Sequence, residues 1–232
     1  MIAVDRVGAA LSDVRARIDA AGGRDVTIVA VTKGFGVDAW AAAARAGLGD
    51  IGENYAQDAL AKRQEWPALG LGEPPRLHFI GRLQRNKVRS LAAAVTLWQS
   101  VDRPSVVDEL AQHAPGAAVL VQVNITGEEQ KGGCAPTDVQ HLVDRARVAG
   151  LDVRGLMGVG PLGAPEAARP GFARLRALAD DLGLHECSMG MTDDLDVAVA
   201  EGSTMVRVGS ALFGPRPNDQ GLDKYAAVRR QQ

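Results

Sequence analysis

Three groups of residues in this chain have types and positions that could do chemistry. The first is Lys33 in "TIVAVTKGFG" (Thr27 to Gly36), where a β-branched apolar run closes on an ammonium group just before a glycine. A lysine at a strand end ordinarily snorkels its amine to solvent. Crowded by apolar neighbours, the same amine has its charged form disfavoured, its pKa falls, and a neutral amine can attack an aldehyde to form a Schiff base. The period of two along a strand puts Val29 and Val31 on the same side as Lys33.

The second is Arg207 in "STMVRVGSALFG", a guanidinium in mid-strand on the parity of Met205 and Gly209. Burying a charge that cannot be neutralised is costly without a partner, and an ion pair with a carboxylate such as Glu53 is the plain structural explanation. The third is a pair of glycine-bearing segments: Ser188, Gly190 and Thr192 in "CSMGMT", then Gly209 and Ser210. Glycine lets backbone amides approach an anion closely, although it serves ordinary tight turns as well. An amine, a cation and an anion cup together suit a phosphorylated aldehyde that carries a ring.

These residues need elements to position them. Val4, Val7, Leu11, Val14 and Ile18 recur at spacings of three and four, which predicts an amphipathic helix stopped by Gly22 and Gly23. Short apolar strands then alternate with helical patterns: "TIVAV", "LGDIGENY", "RLHFIG", "TLWQSVD", "AVLVQVNI", "LDVRGLMGVG", "HECSMGM" and "STMVRVGSALFG". The helix before the fourth strand is expected from about Gln84 to Val95. Thr137 is expected to cap the helix carrying Val139, Leu142, Val143 and Ala146, and Thr192 to start the helix before the last strand. Strands alternating with helices imply right-handed crossovers and a parallel sheet. Eight strands can close a (β/α)8 barrel with an extra N-terminal helix, and a doubly wound open sheet is the alternative. No linker interrupts the pattern, so residues 1–232 are expected to form one domain. In a barrel the strands' carboxyl ends carry the site, and Lys33, the "CSMGMT" segment and Gly209–Ser210 all fall there.

Composition narrows the chemistry further. Of 232 residues, 46% are hydrophobic, enough for one well-cored domain. Lys plus Arg (26) nearly balances Asp plus Glu (28), so no global field would draw the protein onto nucleic acid or an acidic membrane. No stretch approaches the roughly 18 to 20 apolar residues of a membrane span, and no signal-peptide core is found. Cys134 and Cys187 are expected as thiols in a reducing cytoplasm, and the four scattered histidines form no metal pattern.

At "AVTKG", "IGENYAQ", "LHFIGRLQRNK", "GLM" and "SMGMTDDLDVAVAEGSTMVRVGSALFG", the chain from about Val26 to Gly214 resembles the pyridoxal phosphate homeostasis proteins. These are single-domain relatives of the barrel half of alanine racemase, a fold type III pyridoxal phosphate (PLP) barrel. The resemblance implies that Lys33 holds PLP as an internal aldimine and that Arg207 faces the pyridine nitrogen. It further implies that Ser188, Gly209 and Ser210 bind phosphate, and that Asn54 and Met157 line the pocket. The chain departs from the family wording at Gly34, Arg82, Thr192, Ser210 and the "GLMGVGPLG" segment.

The family resemblance also bears on catalysis. An arginine beside the pyridine nitrogen favours the unprotonated ring and weakens its electron sink. Two-base racemisation needs a second acid/base, which the racemases take from a tyrosine of an additional C-terminal domain of the partner subunit. Here the sequence ends soon after the eighth strand, and its tyrosines are Tyr55 and Tyr225. The expectation is a cytoplasmic, monomeric PLP carrier that takes part in vitamin B6 homeostasis and delivers PLP to apoenzymes. A PLP-dependent amino-acid racemase and a phosphosugar-binding barrel are the alternatives.

Overall fold

The heptad-like spacing of Val7, Leu11, Val14 and Ile18 forms helix α1 (Val4–Ala20), which buries those four side chains. Gly22, at φ 83°, lets the chain leave it in a conformation that other residues avoid. A computed structural model describes residues 2–128 and 131–216. After α1 come β1 (Thr27–Val31), α2 (Val37–Arg45), β2 (Asp50–Glu53), α3 (Ala56–Glu65), β3 (Arg76–Phe79), α4 (Arg85–Leu91), β4 (Val95–Val101) and α5 (Pro104–His113). The second half holds β5 (Ala118–Val123), α6 (Val139–Val148), β6 (Asp152–Gly158), α7 (Arg169–Asp181), β7 (Glu186–Ser188), α8 (Leu195–Ala200), β8 (Met205–Val208) and α9 (Ser210–Phe213).

Each strand pairs in parallel with the next, and β8 returns to β1, with Val29 opposite Arg207. The sheet is therefore a closed barrel, and the open doubly wound alternative is excluded. Residues at alternate positions face two cores. Outside the barrel, Trp40, Ile51, Trp98 and Phe172 pack between strands and helices. Inside it, Val29, Leu97, Ala118, Leu120, Met157 and Met205 form a smaller apolar layer. The helix α1 packs on α2, α8 and α9.

Three local expectations are corrected. The alanine run extends the helical pattern on paper, but α4 ends at Leu91, where the Ala94 N–H donates to Leu91 O at 2.8 Å and turns the chain. Val95 then pairs with Leu77 as the first residue of β4, because its place in the sheet outweighs local helix propensity. Thr137 does not cap α6. It lies in a one-turn 3-10 segment, Pro136–Asp138, and its hydroxyl donates to Asp138 Oδ1 at 3.3 Å. Thr192 likewise lies ahead of α8, which starts at Leu195.

Candidate functional site

The carboxyl ends of the strands surround a cavity of about 440 Å³, lined by residues from β1, β6 and β8, from the loops that follow β1, β2, β3, β6 and β7, and from the segment in and around α9 that follows β8. Among its lining residues are Lys33, Asn54, Met157, Arg207, Gly209 and Ser210, so six of the seven expected site residues meet there. Its floor is the apolar layer inside the barrel, to which Met157 belongs.

Lys33 is half-buried, two residues beyond the end of β1. Burial lowers its pKa from the ordinary 10.5, and the positive charges of Arg216 and Arg207 lower it further. Gly34 follows at φ 78°, and a Cβ there would sit 3.2 Å from Arg216 Cδ. A positive φ thus accounts for the glycine at this departure from the family wording.

Behind Lys33 the end of β1 is tied down by a buried polar cluster. Lys62 Nζ donates to Thr32 O at 2.8 Å and to Glu53 Oε1 at 2.6 Å. Thr32 Oγ1 donates to Glu53 Oε1 at 2.5 Å, and Trp40 Nε1 donates to the same pair of oxygens. Glu53 therefore points outward from β2, toward α2 and α3. The expected Arg207–Glu53 ion pair is not formed, because Arg207 points to the other side of the barrel wall.

Arg207 is 4% exposed, inside the barrel. Its Nη1 donates to Ser188 Oγ at 2.7 Å and its Nη2 to Gly158 O at 2.8 Å. Burial pulls its pKa down to about 10, partly offset by the negative charge of Asp194. A guanidinium satisfied by a hydroxyl and a carbonyl keeps an unneutralised positive charge beneath the cavity.

The glycine-rich corner is built from two segments. Ser210 Oγ donates to Thr192 Oγ1 at 3.1 Å, and the Ala211 N–H donates to the same hydroxyl at 3.4 Å. The Thr192 hydroxyl thus does accept an amide hydrogen bond, but from α9 and not from the helix that follows it. A Cβ at Gly209 would lie 3.2 Å from Val31 O, and one at Gly190, whose φ is 93°, would lie 2.5 Å from Ala198 Cβ. Gly190 has no room for a side chain, and Gly209 is tight against the β1 backbone. The extra helix braces the corner from outside: Arg17 donates to Thr192 O at 3.0 Å, and Arg6 donates to Phe213 O at 2.8 Å.

Ser188 is the expected site residue that the structure sets apart. It is fully buried, accepts from Arg207 and donates to Gln99 Oε1 at 2.7 Å, one side chain removed from the cavity. Asn54 lines the cavity, and its Oδ1 is buried with no hydrogen-bond partner among the described residues. Sequence reasoning missed Phe35, Ile80, Asp193 and Arg216 on the cavity wall. Ile80 carried a usable signal, since the period of two puts it on the inner face with His78. Tyr55 is 59% exposed and lines a separate hollow beside α3, while Tyr225 lies outside the described residues.

Comparison with known proteins places this geometry. Residues 3–217 match the family described as "Alanine racemase, N-terminal domain". A protein of Pseudomonas aeruginosa named "Pyridoxal phosphate homeostasis protein" is 44% identical over 207 residues, covering 84% of this chain and 88% of that protein. The protein of the same name from Escherichia coli is 35% identical over 226 residues, covering 89% and 95%. The structure of PipY from Synechococcus elongatus with PLP bound is similar at a TM-score of 0.77 and 29% identity, covering 90% of this chain and all (100%) of that one. Alanine racemase from Bacillus anthracis, at 16% identity and a TM-score of 0.70, shares the fold over 93% of this chain and 57% of its own. The chain belongs to the pyridoxal phosphate homeostasis protein family, built on the barrel domain of alanine racemase.

Proposed function

We propose that this protein holds PLP at the mouth of its barrel, with Lys33 as the amine that takes the aldehyde covalently, and serves PLP homeostasis as a carrier. The observation that carries this reading is the meeting of Lys33, Arg207 and the Thr192–Gly209–Ser210 corner on one cavity. Three cationic groups, Lys33, Arg207 and Arg216, suit an anionic ligand, and about 440 Å³ lies within the size range of small-ligand sites.

PLP supplies an aldehyde that combines with amines and a pyridine ring that can withdraw electrons. The protein's residues divide the work. Lys33, with its lowered basicity, offers a neutral amine near neutral pH more readily than an ordinary lysine does. The hydroxyls of Thr192 and Ser210 and the close backbone at Gly209 take the phosphate, while Asn54 and Met157 border the ring. Arg207 would face the ring nitrogen and, being a donor only, would favour the unprotonated ring. Ser188 acts through Arg207 and holds its guanidinium in place.

The carrier role is supported by the names of the curated relatives, which state a homeostasis role and no reaction. Burial pushes the thiols of Cys134 and Cys187 up to about 12, so neither competes as a thiolate for the aldehyde. The cavity is open to solvent, which would let an incoming amine reach PLP held there. Within this reading the protein is a single-domain, cytoplasmic monomer whose partners are PLP-dependent apoenzymes. Among the described residues no helix is long and apolar enough to cross a membrane.

The test is spectroscopic. Protein mixed with PLP should gain a visible absorbance band, borohydride should fix the cofactor to Lys33 as a mass adduct, and Lys33→Ala should show neither. Pyridoxal without phosphate should bind far more weakly. A band that persists in Lys33→Ala, or its absence in the unaltered protein, overturns the assignment. Loss of optical rotation from alanine or serine above the Lys33→Ala control would return the racemase alternative.

A further inference from the structure

The strands that make the pocket also carry a row of inward polar side chains that the pocket does not use. Beneath Arg207, Ser188 Oγ donates to Gln99 Oε1 at 2.7 Å. Gln99 Nε2 lies 2.8 Å from His78 Nδ1, and His78 Nε2 lies 3.0 Å from Asp50 Oδ1. Asp50 is held at its other side by Arg76, with Nη2 to Oδ2 at 2.6 Å. The thread crosses the barrel from β8 and β7 to β4, β3 and β2, and all five of its interior members are buried: Arg207, Ser188, Gln99, His78 and Asp50. It ends near the amino end of the barrel, where Asp50 lines a second hollow.

With a neutral His78 ring, the contacts along this thread fit a single direction of donation. Burial alone would raise the Asp50 carboxyl, but the hydrogen bonds from His78 and from both Nε and Nη2 of Arg76, with the charge of Arg76, hold it at about 2, so it is a pure acceptor. His78 must then carry its proton on Nε2. A neutral ring has a bare Nδ1, which requires a donor from Gln99, so the amide presents Nε2 to His78 and Oε1 to Ser188. The Met205 sulfur, 3.0 Å from Gln99 Nε2, is an acceptor and selects the same orientation. Ser188 has one proton and gives it to Gln99, which leaves its lone pairs for Arg207. A second proton on His78 would force the amide to reverse. Each dipole therefore points the same way, from the guanidinium at the pocket to the carboxylate at the far end, and such chains strengthen one another in a low dielectric.

We propose that Gln99, His78 and Asp50 are positioning residues for Arg207, a buried one-way hydrogen-bond relay through which the amino end of the barrel sets the guanidinium facing the cofactor ring. This rests on the reading that Arg207 faces the ring of bound PLP. Asp50 touches neither the cavity nor Arg207, yet its charge fixes the tautomer, the amide and the hydroxyl in turn.

Two arms test it. In cofactor-free protein labelled at histidine and arginine nitrogens, NMR should find His78 neutral with its proton on Nε2. Asp50→Asn, nearly isosteric, lets the new amide donate to Nε2, so the ring proton should move toward Nδ1 and the Arg207 Nε–H resonance should shift. In protein loaded with PLP, Asp50→Asn should displace the visible band and weaken PLP binding by about 3- to 10-fold, the size expected of coupling through packed intermediaries. Gln99→Met, which cuts the relay in the middle, should do the same and covers the case in which Asp50→Asn does not fold. A wild-type His78 with its proton on Nδ1, or variants that leave both the Arg207 resonance and the PLP spectrum unchanged, would overturn the relay. Failure of the unaltered protein to take up PLP sinks the functional reading alone, and the cofactor-free arm then decides the relay.

Discussion

At the scale of single residues, the site turns on how environment changes an ordinary side chain. Lys33 and Lys62 are both lysines near the ends of their elements, yet Lys62 is paired with Glu53 at 2.6 Å, while Lys33 is set between apolar walls and two guanidiniums. Burial and those positive neighbours make the Lys33 amine more readily neutral than an ordinary lysine. Its capture of PLP should quicken as pH rises and level off below the ordinary lysine value of 10.5. Removing a positive neighbour favours the charged form, so Arg216→Ala should raise the Lys33 pKa and slow capture severalfold at neutral pH. Stopped-flow absorbance across a pH series measures both. An unchanged pH profile in Arg216→Ala would remove that arginine from the account.

At the scale of elements, the ends of β1 and β2 are held by a pair whose charges are almost completely out of water, with Lys62 and Glu53 side chains 5% and 0% exposed. Removing one member strands the other in a low dielectric. Lys62→Met should lower stability by about 3–5 kcal/mol, and Glu53→Gln in the same chain should recover much of it. Urea unfolding of the single and double variants distinguishes this from a loss of packing, which the second change would not repair. Element boundaries were legible where side-chain period and stop signals agreed, as in α1, β1 and β5. They were not legible at Ala92–Ala94, where alanine suits a helix and the chain must still turn into β4. Thr192 misled in the same way: its hydroxyl has the chemistry of a cap, and the amide that it accepts from lies in a segment nineteen positions onward.

At the scale of the whole molecule, closure of the barrel turns six separate polar residues into one connected line. Because the folded-state carboxyl of Asp50 lies below its unfolded value of about 3.9, its contribution is complete above that pH and is lost as pH falls through about 2. The stability gap between the wild type and Asp50→Asn should thus stay constant above about pH 5 and narrow on acidification toward pH 2. Thermal unfolding at a series of pH values checks it. A gap that widens in acid would contradict the charged state assigned to Asp50.

The sequence by itself determined the alternation of strands and helices, the extra helix at the start, and the residue types of the pocket. An apolar run ending in Lys33, a guanidinium in mid-strand and glycines at the last strand end are local signals, each readable from its neighbours. The tertiary structure decided what those residues face. Whether Arg207 met Glu53 or Ser188 depended on which side of the barrel wall Glu53 takes, and only the packing of α2 and α3 on β2 settles that. The parity of His78, Gln99 and Asp50 could be counted along their strands, but β8 and β4 lie across the barrel from one another. Hydrogen bonds act over about 3 Å, and nothing short of the closed sheet brings residues so distant in sequence within that reach.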